Sequence, residues 1–327
     1  MKNALWVALM LTLATAAIAA PPAPPKPKPL PKPAHIVIVF EENKSPGDIT
    51  AATAPYITNT LTPMGTSLGK FFAFHHPSQP NYIEFFAGTN QLNVGGTTTP
   101  VCNDNCIAKQ STTKNLFSSI SHAAGVTFGG YAEDLPANQT SAQILATCAK
   151  CKCFQCYFAV KHTPWIDFAD VPDSVSHPFT AFPADFTQLP TISIVVPNLI
   201  NDMHSPKTPK QCQLGNDNIP VEVTQGDTWL KNNLKKYAEW AVKNNSLLIV
   251  TWDENSKAPS EPDPCPTRLS PPKNLIPTII VGQPVRVNFS SPQTYNYYDL
   301  LRTILDMYGL APVGNSNMGK DITDIWQ

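Results

Sequence analysis

Four apolar runs rich in β-branched residues are spaced along the chain, at residues 35–40, 191–196, 247–252 and 276–281. Such runs, without polar alternation, are typical of strands buried on both faces of a sheet. Residues 228–244 and 295–308 carry apolar side chains at helical spacing, and Asp227 is placed to cap the first helix. The pattern predicts an α/β fold with a mainly parallel central sheet flanked by helices.

Residues 88–186 fit this alternation poorly because they are rich in proline, asparagine and cysteine. We expect loops, short helices and a disulfide-stapled insertion there, which would shape the pocket. Residues 34–327 approach the upper size for one hydrophobic core and contain no second linker, which predicts one elaborated domain.

The first residues resemble an export signal. Lys2 supplies a positive charge, an apolar run begins near Ala4, and Ala17-Ile18-Ala19 matches the small-x-small cleavage rule. We therefore expect a signal peptide over residues 1–19 and a secreted or periplasmic protein, with an uncleaved anchor as the alternative.

The next segment, residues 20–33, consists mostly of proline and lysine. This composition favours an extended, solvated linker over a core element. Its lysines could make transient contact with an anionic membrane surface. The formal net charge of −1 provides no broad basic surface for nucleic acid, so attraction of a substrate must be local.

The chain contains eight cysteines. In an exported protein they most naturally form disulfides, although the spacing of the four cysteines within residues 148–156 could also suit zinc. The sequence leaves their pairing open, and Cys102 with Cys106 is the nearest plausible pair.

Polar side chains follow the predicted strands. Glu42 and Asn43 come after the first strand, and Asp253 and Glu254 follow the run at 247–252. Because strand ends can meet at one crevice of an α/β sheet, we expect these oxygen ligands to converge on a divalent cation. Taken singly, each cluster could be a solvated turn.

A serine lies at the start of a further predicted helix. Ser78 stands between two prolines, and residues 82–88 can form a short helix that ends at Gly88. A serine at this end of a helix would face free backbone N–H groups, which favour an anion such as phosphate. The alternative is that Ser78 merely caps the helix.

The ordered series of motifs resembles the phosphoesterase family of bacterial and fungal acid phosphatases and phospholipases C, which is similar in fold to alkaline phosphatase. The resemblance extends from about His35 to Trp326 and rests on the segments 39–43, 76–82, 196–204, 226–230, 251–254 and 300–304.

This resemblance implies roles for individual residues. A divalent cation of unspecified identity would be bound by Glu42, Asn43, Ser78, Asp202, Asp253 and Glu254. Ser78 would attack phosphorus, Asn81 would hold a non-bridging phosphate oxygen, and Asp202 and His204 match positions that would bind a second metal or the transferred phosphoryl group. Apart from the resemblance, the local sequence makes His75 and His76 further candidates for phosphate contact, with a packing role as the alternative for His75.

Two positions depart from the family pattern. Lys44 and Tyr297 stand where many relatives have histidine, which weakens any assignment of two metals. Lys44 could instead supply positive charge to phosphate.

The predicted function is metal-dependent hydrolysis of phosphomonoesters through a phosphoserine intermediate. The alternatives are a phospholipase C that acts on phospholipid head groups and a catalytically degenerate secreted binding protein. The sequence leaves the oligomeric state open.

Overall fold

A computed structural model describes residues 29–104, 107–147, 157–204, 218–256 and 274–327. The predicted signal peptide, most of the predicted linker and seven of the eight cysteines lie outside these residues. The eighth, Cys102, is disulfide-bonded, whereas the disulfide-stapled insertion as a whole stays a prediction. No helix within the described ranges is long and apolar enough to cross a bilayer.

The strands follow one another along the described chain as β1 (His35–Glu41), β2 (Gly65–Phe72), β3 (Gln91–Val94), β4 (Thr97–Pro100), β5 (Phe128–Ala132), β6 (Ser176–Pro178), β7 (Ile192–Val196), β8 (Ser246–Trp252), β9 (Leu275–Ile276), β10 (Thr278–Gly282) and β11 (Phe289–Asn296). The helices are α1 (Thr62–Met64), α2 (Ser78–Ala87), α3 (Leu116–Ile120), α4 (Ser141–Thr147), α5 (Ile219–Ala241) and α6 (Tyr297–Met307).

In the described residues, nine strands form one sheet in the order β11-β2-β10-β8-β1-β7-β5-β6, with β9 paired to β2. β1 runs parallel to β7 and β8, β5 runs parallel to β7 and β6, and β11 runs parallel to β2. β10 is antiparallel to both of its neighbours. The predicted mainly parallel α/β fold is confirmed.

The centre of the sheet fixes where the polar clusters emerge. β1 and β8 pair in parallel with Glu41 opposite Trp252. The ladder continues past the end of β8, since Asp253 N–H donates to the Glu41 carbonyl at 3.0 Å. Glu42 and Asp253 therefore lie side by side at the end of the sheet. The buried residues of β1 and β8 fix the two positions relative to each other.

Residues 88–186 contribute more to the fold than the expected loops and short helices. β5 and β6 extend the central sheet beyond β7, and β3 and β4 form a separate hairpin. The sequence conceals β5 because Gly129 and Gly130 have low strand propensity. A Cβ on Gly130 would lie 2.3 Å from Trp165 Cε2, so the close packing of the indole on this strand requires glycine.

The predicted start of the long helix is wrong. α5 begins at Ile219, after Asn218, whose side chain accepts a hydrogen bond from Val221 N–H. Asp227 lies inside α5, and its carboxylate accepts the backbone N–H groups of Tyr56 at 3.0 Å and Ile57 at 2.8 Å. Tertiary contacts therefore extend the helix through residues of weak helix propensity.

Candidate active site

The ends of β1 and β8 are joined by hydrogen bonds between the two polar motifs. Asn43 N–H donates to Asp253 Oδ1 at 3.0 Å, and Asn43 Nδ2 donates to Glu254 Oε1 at 2.9 Å. Asn43 adopts a left-handed backbone with φ of 51°, a conformation that asparagine tolerates better than most residues. The structure thus brings together the two acidic strand ends.

Ser78 is the first residue of α2, so the helix begins four residues earlier than the sequence suggests. Its Oγ donates to Glu42 Oε2 at 3.0 Å, and the residue is 1% exposed. Gly88 ends the helix in the left-handed conformation with φ of 68°. The hydroxyl therefore lies at the positive end of a helix and against a carboxylate from the strand ends.

Asp202 and His204 approach Glu42 from the loop after β7. The Asp202 carbonyl accepts Glu42 N–H at 2.6 Å, and Asp202 Oδ1 accepts His204 N–H at 2.9 Å. His204 Nδ1 lies 3.5 Å from Glu42 Oε2, and its side chain is 30% exposed. His204 therefore lies on the solvent side of the buried carboxylates.

A second imidazole, that of His162, reaches the same carboxylate, and its role is not predicted from the sequence. His162 Nε2 lies 3.1 Å from Glu42 Oε1, which also accepts the Tyr82 hydroxyl at 2.5 Å. The rings of His162 and Tyr82 stack with centroids 5.2 Å apart. No motif marks His162 as functional, because tertiary packing of residues 160–162 brings it to the site.

Histidines 75 and 76 have different surroundings. His76 Nδ1 lies 2.7 Å from Glu254 Oε2, at the rim of the site. His75 is buried, and its Nε2 lies 3.0 Å from Glu84 Oε1 on α2. His76 therefore lies beside the acidic cluster, whereas His75 has the packing role given as its alternative.

Asn81 holds the backbone that leads into α2. Its Oδ1 accepts the N–H groups of Phe74 at 3.0 Å and His75 at 2.9 Å, while Nδ2 donates to the His75 carbonyl at 2.8 Å. Nδ2 makes only a long contact of 3.5 Å to the Pro77 carbonyl with its remaining proton, so a contact with a phosphate oxygen, as the resemblance implies, would use that proton and leave the other three bonds in place. The geometry favours a positioning role for Asn81.

The two departures from the family pattern have structural partners. Lys44 is buried, with Nζ 2.8 Å from Glu222 Oε2 on α5 and 3.1 Å from the Asn43 carbonyl that accepts its proton. The Tyr297 hydroxyl contacts the carbonyls of Trp252 and Asp253. Both residues therefore fix backbone at the strand ends, and Lys44 is engaged with Glu222 instead of being free for phosphate.

The electrostatics of the site are dominated by buried acids. Burial, with Glu42 and Glu254 as neighbouring charges, raises the pKa of Asp253 well above its usual range, and burial also raises the pKa of Glu254. Burial disfavours the anion of Glu42 too, but the adjacent imidazoles outweigh it and hold the pKa of Glu42 below its usual range. Burial opposes the charged form of His204, yet its hydrogen bond to Glu42 raises the pKa of His204.

The donor set fits a hard divalent cation. Asn43 Oδ1 and Asp253 Oδ2 are buried without a hydrogen-bond partner among the described residues. Carboxylate and amide oxygens are the ligands such cations prefer, and a cation would offset the cost of burying several acids together. Within the same ranges, no three His, Cys, Asp or Glu side chains are already arranged as a formed metal site, so binding requires side-chain adjustment.

Solved structures share this architecture. A protein of the alkaline phosphatase superfamily from Vibrio parahaemolyticus superposes with a TM-score of 0.52 at 15% identity, covering 95% of this chain and 76% of that one. Murine ectonucleotide pyrophosphatase/phosphodiesterase 5 superposes with a TM-score of 0.50 at 11% identity, covering 90% of this chain and 100% of that one. These likenesses show that the chain has an alkaline-phosphatase-like fold.

The sequence identifies the family within that fold. The model of the phosphoesterase family matches residues 50–311, and the chain belongs to this family. The phosphatidylinositol-3-phosphatase of Mycobacterium tuberculosis is 39% identical over 90% of this chain and 83% of that protein. The phosphate-repressible acid phosphatase of Penicillium chrysogenum is 26% identical over 80% of this chain, which spans 56% of that longer protein. These relationships make the chain a hydrolase of phosphoric esters.

Proposed function

We propose that this protein is an exported, metal-dependent phosphomonoesterase of the acid phosphatase type that forms a phosphoserine on Ser78. The hydrogen bond between Ser78 Oγ and Glu42 Oε2 carries the proposal, because it joins a helix-terminal hydroxyl to the acidic strand ends. A serine in a solvated cap would have no need of such a buried carboxylate. Here the hydroxyl is oriented before any substrate arrives.

In the first step, Ser78 Oγ passes its proton to Glu42 Oε2, to which it is hydrogen-bonded, and bonds to phosphorus as the bond from phosphorus to the leaving oxygen breaks. The backbone N–H groups at the start of α2 favour the negative charge on the phosphoryl oxygens. His204 has a raised pKa and lies on the solvent side of the site, so its imidazolium gives a proton to the leaving oxygen.

In the second step, water attacks the phosphoserine, and the bond between phosphorus and Ser78 Oγ breaks. His204, neutral after the first step, accepts the proton of the attacking water, and Ser78 Oγ recovers its proton from Glu42 as phosphate leaves. In each step the attacking and leaving oxygens lie on opposite sides of phosphorus. Catalysis therefore depends mainly on positioning these oxygens and stabilising charge on the phosphoryl group.

A divalent cation held by Glu42, Asn43, Asp253 and Glu254 would lower the cost of the serine alkoxide and of charge on the phosphoryl oxygens. The excess of buried carboxylates and the unpartnered oxygens of Asn43 and Asp253 support this site. Removal of the cation with a chelator should abolish turnover, and a divalent salt should restore it.

The relatives favour phosphomonoesters over phosphodiesters, because their names describe phosphatases. The name of the Mycobacterium tuberculosis relative extends this class to a monoester carried on an inositol lipid. We therefore infer that both small aryl phosphates and phosphatidylinositol 3-phosphate are substrates to test. Release of head groups from phosphatidylcholine vesicles would instead indicate the phospholipase C alternative.

The test compares wild type with Ser78→Ala and with Ser119→Ala, a serine of α3 that bonds to the Ala311 carbonyl outside the site. Phosphate release from p-nitrophenyl phosphate should fall by about a thousandfold or more in Ser78→Ala and stay unchanged in the control. Equal activity in all three proteins would remove Ser78 from the mechanism. Absence of turnover on every ester tested, in protein supplied with divalent cations, would favour the binding-protein alternative.

Export is part of the proposal and has its own test. The small-x-small motif at Ala17-Ile18-Ala19 predicts a mature chain that begins near Ala20. N-terminal sequencing of protein recovered from the periplasm or medium should give this terminus. An intact Met1 on active cytosolic protein would contradict it.

A further inference from the structure

A carboxylate bridges a lysine and the beginning of the nucleophile helix. Asp104 Oδ2 lies 2.7 Å from Lys161 Nζ, and Asp104 Oδ1 accepts the backbone N–H of Gln79 at 3.1 Å. Gln79 directly follows Ser78 as the second residue of α2. One carboxylate thus forms an ion pair with the Lys161 ammonium and accepts a helix N–H next to the proposed nucleophile.

The Lys161 ammonium interacts with the charges of the active site. Lys161 directly precedes His162, whose Nε2 lies 3.1 Å from Glu42 Oε1. Burial lowers the pKa of Lys161, but Asp104 and then Glu42 outweigh this and raise it above its usual value. The ammonium therefore remains charged beside the acidic cluster.

The carboxylate is the more exposed member of the pair. The Asp104 side chain is 32% exposed, whereas that of Lys161 is 15% exposed. A partly exposed ion pair contributes little net stability, because water competes for the charge of its exposed member, here the Asp104 carboxylate. Another anion could therefore replace Asp104 at small cost.

We propose that Asp104 is a built-in anion that a substrate phosphoryl group displaces, so that Lys161 and Gln79 N–H become phosphate-binding groups. This inference rests on the proposed function. A phosphate offers the same negative charge and acceptor oxygens as the carboxylate, and charge-assisted hydrogen bonds from lysine and backbone N–H suit both. In this arrangement Asp104 competes with substrate and weakens phosphate binding.

The competition predicts opposite effects for two substitutions. Asp104→Asn keeps the shape of the side chain and removes its charge, so inorganic phosphate should bind about five- to tenfold more tightly. Lys161→Met removes the cation but retains much of the aliphatic stem, and phosphate should bind about tenfold more weakly. With p-nitrophenyl phosphate, KM should move in the same directions.

Asp306→Asn is a matched control, because it removes the same charge from another partly exposed ion pair, that with Arg302 on α6. Isothermal titration with inorganic phosphate should give wild-type affinity for this control. Thermal melting of each variant shows whether the fold is retained, and the three substitutions should leave it nearly unchanged.

Weaker phosphate binding in Asp104→Asn would overturn the proposal, since it would mean that the carboxylate positions Lys161 for the substrate. Unchanged affinity in both Asp104→Asn and Lys161→Met, or phosphate binding by none of the proteins, would also overturn it. The titration needs no turnover. A protein that binds phosphate as predicted but hydrolyses no ester would contradict the proposed function and leave this inference standing.

Discussion

The two sides of the candidate active site are built in different ways. The strand-end side, Glu42, Asn43, Asp253 and Glu254, is fixed by parallel pairing of β1 with β8 at the centre of the sheet. The insertion side, Asp104, Lys161, His162 and Asp167, comes from residues 88–186 and is held by side-chain contacts and short helical turns. The difference suggests that rigid strand ends supply the chemistry, while the insertion adjusts charge and access around it.

The strand-end side should show the largest loss of activity. Asp253→Asn removes a buried carboxylate that accepts Asn43 N–H, and we expect kcat/KM for p-nitrophenyl phosphate to fall about a thousandfold. Because burial and neighbouring acids raise the pKa of Asp253, the same substitution should raise the melting temperature of the chelator-treated protein. A fully active Asp253→Asn variant, or one with a lower melting temperature than wild type after chelator treatment, would contradict the claim that the strand-end side supplies the chemistry.

The insertion side should matter less for catalysis. His162→Asn removes the imidazole beside Glu42 Oε1 and should lower kcat about ten- to a hundredfold, as expected for a residue that orients another group. His177→Asn is the control, since His177 on β6 packs against Tyr131 on β5 and takes part in none of the hydrogen bonds described for this site. A loss as large as that of Asp253→Asn would place His162 among the residues that contact substrate or cation.

The third comparison concerns stability and its dependence on pH at Asp167 on the insertion side. Burial raises the pKa of Asp167 to about 8, and Gln79 Nε2 donates to its Oδ2 at 3.1 Å. Below that pH the neutral carboxyl can donate its proton to Gln79 Oε1, which otherwise has no partner among the described residues. The acid–amide pair would fix the residue next to Ser78.

The sign of the pH effect follows from that raised pKa. An unfolded aspartate ionises near pH 4 whereas folded Asp167 stays neutral to about pH 8, so its contribution to stability declines over that interval. Asp167→Asn can keep both amide hydrogen bonds and has no proton to lose. As pH rises from 5 to 8, the free energy of unfolding of Asp167→Asn should increase relative to that of wild type by at most about 1.4 kcal/mol per pH unit. Urea unfolding of both proteins measures this difference. The same dependence of unfolding free energy on pH in both proteins would contradict this prediction.

The same contrast explains what the sequence could predict. β1, β7 and β8 are continuous apolar runs, so their type and the polar residues at their ends are visible in the sequence. β5 is concealed by Gly129 and Gly130, and α5 begins in a segment of weak helix formers. In both places packing, such as Trp165 on Gly130, decides the structure.

The candidate site divides in the same way. Ser78, Glu42 and Asp253 belong to ordered motifs, and the fold brings them together. His162 and Lys161 have no local pattern that distinguishes them from other polar loop residues, because their role depends on long-range packing. The role of Lys44 is also not visible in the sequence, since its partner Glu222 lies in the part of α5 that precedes the predicted helix start.

Acid quenching during turnover tests the central claim most directly. Wild-type protein mixed with p-nitrophenyl phosphate, stopped with acid and digested should yield a peptide carrying one phosphoryl group on Ser78, detected by mass spectrometry. The label should disappear in Ser78→Ala and after removal of divalent cations. Phosphate release without any label on Ser78, together with full activity of Ser78→Ala, would contradict the claim that this hydroxyl and the acidic strand ends form one hydrolytic site.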